Sequence, residues 1–107
     1  MLRHVTMWKF ADDDDPGENR ANAITIKAGL EELAYEVHGL VSIDVYIDPA
    51  RTTVSNADIL LDSRFESREA FESYLVHPRH LAVKKLIDAC TEEKLCMDFE
   101  EEEAELM

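Results

Sequence analysis

The stretch SYLVHPRHLAV, residues 73–83, sets two imidazoles on either side of a proline and an arginine, a few residues after a tyrosine. Pro78 has a fixed φ and no N–H to lose, so it suits the first turn of a helix and places His80 within that turn. There the positive end of the helix dipole disfavours an imidazolium, and a neutral imidazole can accept a proton. Capping or plain packing suits the same position, and both readings stay open for His80. His77 precedes the proline and belongs to a junction between two helical pieces. Imidazoles three residues apart can share a helical face, but Pro78 interrupts the turn between them and no third ligand is near in sequence, so no metal site is expected.

These side chains need a scaffold. Residues 2–10 alternate with a period of two, Leu2, His4, Thr6, Trp8 and Phe10 on one face and Arg3, Val5, Met7 and Lys9 on the other, which predicts a strand. His4 thus serves either as a cavity wall or as a simply buried group, and Trp8 as core or cavity wall. After ADDDDPGEN, the residues Ala23, Ile26, Leu30, Leu33 and Val37 recur at helical steps, and Gly39 stops that helix. LVSIDVYID alternates as a second strand. ADILLDSRF reads as a third, with Ile59, Leu61 and Phe65 opposite Asp58, Asp62 and Arg64. Ser67 is a good N-cap for REAFESYLV, whose Ala70, Phe71, Tyr74 and Leu75 share a face. Val83, Leu86, Ile87 and Cys90 stripe the helix begun by Pro78, and KLCMDF alternates Leu95, Met97 and Phe99 against Lys94, Cys96 and Asp98 as a fourth strand.

The order β, α, β, β, α, β is the ferredoxin-like pattern, an α+β fold with an antiparallel four-stranded sheet and its helices on one face. The other face is expected to carry Leu2, Trp8 and Phe10 from strand one. An apolar face of that size does not stay in water, and a second copy is the simplest cover. The expected partner is therefore the chain itself, in a homodimer that joins two sheets face to face into a dimeric α/β barrel, with a ligand cavity between or beneath the sheets.

Composition bounds the rest. The 107 residues suffice for one domain, and 46% hydrophobic residues provide a core. A net charge of −13, from 24 acidic and 11 basic residues, repels phosphate backbones and anionic lipids, so neither nucleic acid nor membrane is an expected partner. The excess sits in DDDD (12–15) and in an acidic tail from residue 100 to 107. Both read as solvated runs, without EF-hand spacing. The domain proper is expected to span 1–99. Cys90 and Cys96 read as small core residues, too few for a disulfide framework or zinc site. Neither a signal sequence nor a spanning helix is read at the start, which places the protein in the cytoplasm by default. No cofactor is expected.

The segments LRHVTMWKF, SRFESREAFESYLVHPRHLAV and the DF of strand four resemble the stress-responsive dimeric α/β barrel proteins, the Dabb family, over nearly the whole chain apart from the acidic tail. FES followed by YLVHPRH is the most specific part. The resemblance implies a homodimeric barrel with an internal cavity of varied use. It extends to plant polyketide cyclases, which close a poly-β-keto chain with a tyrosine and a histidine. In that pattern the histidine corresponds to His80 and the tyrosine, six residues earlier, to Tyr74. A carboxylate at the end of strand four, matched by Asp98, orients the histidine, and a cavity histidine on strand one corresponds to His4. A further histidine of the cyclases falls at Ile59 here, a departure from their pattern. On this basis the catalytic candidates are His80, Tyr74 and Asp98, and the ligand-binding candidates are His4, Thr6, Trp8 and Ile59. An Asp98 carboxylate bonded to His80 would select its tautomer, and Tyr74 would donate to a carbonyl becoming an enolate.

Three functions fit. The first is a barrel with a stress-related or unassigned role that binds a small, largely apolar molecule. The second is an enzyme, either a cyclase or lyase on a β-keto substrate or a cofactor-free oxygenase. The third is a purely structural assembly unit, for which Trp8, Phe65 and Leu95 would fill the cavity.

Overall fold

The computed structural model describes residues 1–11, 15–48, 53 and 56–101. The acidic run at 12–14, most of the loop at 49–55 and the tail at 102–107 lie outside the described residues. Seven elements follow one another: β1 (Leu2–Phe10), α1 (Pro16–Glu36), β2 (Leu40–Ile47), β3 (Ile59–Phe65), α2 (Arg68–Leu75), α3 (Pro78–Cys90) and β4 (Thr91–Glu100). The strands form one sheet in the order β2-β3-β1-β4, every neighbouring pair antiparallel. This is the βαββαβ ferredoxin-like arrangement.

Local chemistry explains the element ends. Pro16 opens α1 at a position where a missing N–H costs nothing. Ala23, Ile26, Leu30 and Leu33 are its buried stripe. The hydroxyl of Ser67 accepts from the backbone N–H of Ala70 at 3.1 Å and caps α2. His77 caps α3, its Nδ1 accepting from the N–H of Arg79 at 3.1 Å. The junction at His77 is thus a cap. Gly39, between α1 and β2, has φ +87° and lies so close to α2 that an added Cβ would meet the Ala70 Cβ at 2.6 Å. Only glycine meets both demands.

The helices cover the face that carries Leu2, Thr6, Trp8 and Phe10, all buried, together with Ile59, Leu61 and Phe65 of β3 and Val45 of β2. This corrects the expectation that Leu2, Trp8 and Phe10 belong to the uncovered side. Alternation separates two faces of a strand without saying which one the helices take. The open face carries a different apolar set. Tyr46, Leu60, Met7 and Leu95 form one row across all four strands, and Val5 pairs with Met97 beside it. Leu95 and Met97 remain 68% and 66% exposed. A groove of about 660 Å³ runs along this row to the Asp58 end of the sheet. Near the other end, Arg3 clasps Asp62 through two bonds of 2.9 and 2.6 Å, and Arg64 donates to Glu101 at 3.1 Å.

Asp58, expected on a solvent side, is buried. Its carboxylate accepts the Phe10 N–H at 2.8 Å, while its backbone N–H donates to the Trp8 carbonyl at 2.9 Å. It closes the end of the sheet at β1 and β3. Cys96, expected in the core, is exposed on β4.

Candidate active site

On the helix-covered side the sheet reads in rows, and these rows fix the site. Trp8 lies between Ile59 and Lys94, Thr6 between Leu61 and Cys96, and His4 between Ser63 and Asp98. Ser63 is fully buried and donates its hydroxyl to the His4 carbonyl at 3.0 Å, which holds β1 against β3. A ring cluster then links strand to helices. The His4 and Phe71 centroids are 4.9 Å apart, Phe71 and Phe65 5.2 Å, Phe65 and Tyr74 4.9 Å, and Tyr74 and His80 4.2 Å. The α2 face that presents Phe71 and Tyr74 and the Pro78 turn that starts α3 together bring Tyr74 and His80 over β1.

Between them is a cavity of about 80 Å³, room for roughly two or three water molecules. Its polar walls include His4, Thr6, Trp8, Tyr74 and His80, and its apolar walls include Leu30, Leu61 and Ile87. Five of the seven residues singled out from the sequence therefore meet at one place. Ile59 stands one cross-strand row away from Leu61 and with Trp8 borders the wider groove. Asp98 stands beside the cavity and bonds His4, not His80: the Nδ1–H of His4 donates to its carboxylate. This departs from the expected pairing, because β4 places Asp98 directly across from His4.

The partners of His80 settle its chemistry. Its Nδ1 lies 3.3 Å from the Leu75 carbonyl, which can only accept, so the proton is on Nδ1. Burial is the main cause that pushes its pKa below the ordinary histidine value, the Leu75 bond opposing it and the charges of His4, Lys84 and Lys94 adding to it. A neutral ring with Nδ1 protonated leaves a lone pair on Nε2. Tyr74 is shifted the other way: burial pushes its phenol well above the usual range, so it stays a donor. Its hydroxyl is buried and has no hydrogen-bond partner among the described residues, and neither has the indole N–H of Trp8. On the opposite wall the Thr6 hydroxyl lies 3.1 Å from Nε2 of His4. Two donors unanswered among the described residues and a neutral imidazole thus belong to side chains that border one small cavity. Of the three residues expected to fill the cavity of a purely structural unit, Trp8 and Phe65 are buried on the helix side and Leu95 is on the open face.

An α+β fold with a ferredoxin-like sheet, one open apolar face and a polar-walled cavity under its helices is the class so defined. Residues 2–101 match the stress responsive A/B barrel domain, and the chain belongs to that family. A stress-response A/B barrel domain-containing protein of Arabidopsis thaliana is 28% identical over 111 residues, covering 97% of this chain and 49% of that protein, so the chain spans about half the length of that relative. Among solved structures, a dimeric protein of unknown function and ferredoxin-like fold from Bacteroides fragilis is 24% identical, with TM-score 0.83 and coverage of 92% and 94% of the two chains. A hydroxynitrile lyase from Passiflora edulis is 16% identical, with TM-score 0.73 over 92% and 90%. At these identities the structural likeness is one of fold. No described helix is long and apolar enough to cross a membrane.

Three charged wall residues escaped the sequence reading, Lys84, Asp88 and Lys94. Lys94 shares a face of β4 with Cys96 and Asp98, so its face was legible, but nothing local says that it stands across from Trp8.

Proposed function

We propose that the protein is a homodimer whose helix-side cavity binds a small, largely apolar molecule through one carbonyl oxygen. The observation that carries this is the buried Tyr74 hydroxyl, which lacks a partner among the described residues and borders the cavity with the Trp8 indole N–H. A buried donor left unanswered costs about 1–3 kcal/mol, and a bound carbonyl oxygen recovers it. Leu30, Leu61 and Ile87 supply the apolar remainder. Dimerisation is supported by the open face, where Leu95 and Met97 stand among apolar neighbours, and by the dimeric Bacteroides fragilis relative.

A second reading, proton-transfer catalysis, is favoured by the lone pair on Nε2 of His80. A base there removes a proton α to the carbonyl while Tyr74 donates to the oxygen that becomes an enolate. This is the first step of a cyclase or lyase on a β-keto substrate and needs no cofactor. Asp98 then acts through His4 as a positioning residue. The Passiflora edulis lyase adds only its fold to this reading.

The test uses 2-butanone, a small neutral ketone. Trp8 is the sole tryptophan and lines the cavity, so its fluorescence reports binding. Tyr74→Phe is expected to weaken binding about tenfold. In D2O the wild type is expected to speed exchange of the α-protons, and His80→Ala to lose roughly 10²–10⁴ of that acceleration. Binding that survives Tyr74→Phe unchanged refutes the carbonyl site, and exchange indifferent to His80 refutes the catalytic reading.

A further inference from the structure

The walls of the cavity differ in what answers them. The helix-covered face of β4 presents Lys94, Cys96 and Asp98 in alternation, and all three are exposed, so this strand is the open side of the site. Asp98 is engaged by His4. Lys84, on the α3 side, is held by Asp88 at 2.6 Å. Lys94 has no partner among the described residues, although it lines the same cavity as Tyr74 and His80 and stands directly across from Trp8. A chain with net charge −13 and only 11 basic residues thus turns Lys84, with its partner Asp88, and Lys94 to one cavity and, among the described residues, leaves Lys94 unneutralised.

We propose that Lys94 is the anchor for an anionic group on the ligand, so that the site takes small keto acids: the carbonyl enters the cavity and the carboxylate remains at the β4 side on the Lys94 ammonium. This rests on the reading of the cavity as a carbonyl site. The size of the cavity supports it. A space of about 80 Å³ holds only the carbonyl end of most metabolites, so the remainder leaves by the open side, where Lys94 is without a partner among the described residues. An ammonium answers a carboxylate as a point charge, a role that needs no fixed fork geometry and suits a flexible side chain. Bound there, the carboxylate also places a negative charge near His80, opposing the influence of Lys84 and Lys94 on that ring.

The experiment compares acetoacetate with 4-methyl-2-pentanone, which replaces the carboxylate by an uncharged isopropyl group of the same heavy-atom connectivity. Both are titrated into the full-length protein and followed by Trp8 fluorescence. Lys94→Gln is expected to weaken acetoacetate about fivefold and to leave the ketone within twofold, and Lys94→Arg to restore acetoacetate. Lys84→Gln is expected to change acetoacetate less than twofold, because Asp88 already occupies that lysine. Raising the salt concentration should weaken acetoacetate alone. Ketone binding that depends on Tyr74, with acetoacetate indifferent to Lys94→Gln, overturns the anchor and leaves the carbonyl site standing. Failure of both compounds to bind overturns both. Lys94 is exposed, so an unchanged circular dichroism spectrum and melting temperature in Lys94→Gln show that any lost affinity is not lost folding.

Discussion

The open face of the sheet supplies the firmest number for a test of assembly. Burying a Leu or Met side chain fully is worth roughly 1.5–3 kcal/mol. Leu95 and Met97 keep 68% and 66% of their surface in the single chain, so covering them yields about 1–2 kcal/mol each. A twofold interface contains each residue twice, which brings the four side chains to about 4–8 kcal/mol. The double variant Leu95→Asp/Met97→Asp forfeits that amount and adds the cost of desolvating two carboxylates per subunit. Its dimer dissociation constant is expected to rise by roughly three to six orders of magnitude. Sedimentation velocity from nanomolar to tens of micromolar reads this directly, with the wild type dimeric and the variant at single-chain mass. Tyr35→Asp is the control, since Tyr35 is 91% exposed on α1, on the helix side of the sheet. The reasoning fails if the wild type has single-chain mass at micromolar concentration, or if the double variant dimerises as tightly as the wild type.

Two further outcomes follow from the fold and the site. Gly39→Ala forces a left-handed φ on alanine and drives its Cβ against Ala70, for a loss of about 3 kcal/mol and a melting temperature roughly 12–24 °C lower. Adding Ala70→Gly should recover part of the loss, and an unchanged melting curve for Gly39→Ala would contradict the packing described. The His80 pKa is depressed in the folded protein, so between that value and the unfolded value of 6.5 the unfolded chain binds more protons. Its contribution to stability is complete above pH 6.5 and is lost as the pH falls through the depressed folded value. Urea unfolding between pH 7 and 5 should show a shallower decline for His80→Gln than for the wild type, and equal slopes would refute the half-buried, neutral ring.

Much of this protein was legible before any coordinates. Alternation in residues 2–10 grouped His4, Thr6 and Trp8 on one face, Ser67 and Pro78 marked the starts of α2 and α3, and the pairing of Tyr74 with His80, which the family resemblance implied, is a real juxtaposition. These signals are local: caps, turn residues and periodicity act over a few residues, so the sequence carries them without knowledge of the fold. Other features depend on partners far along the chain. Both faces of β1 carry apolar groups, and only the packing of α1 against the sheet settled that Leu2, Trp8 and Phe10 are inside while Val5 and Met7 are outside. Asp98 became the partner of His4, and Lys94 the neighbour of Trp8, through the register of β4 against β1, about ninety residues apart in sequence. Tyr74 shows the division most clearly. Its place on the inner face of α2 was written in the helical repeat, but that its hydroxyl is buried without a partner is a property of the closed core, because burial and hydrogen-bond satisfaction are decided by everything packed around an atom rather than by its own segment.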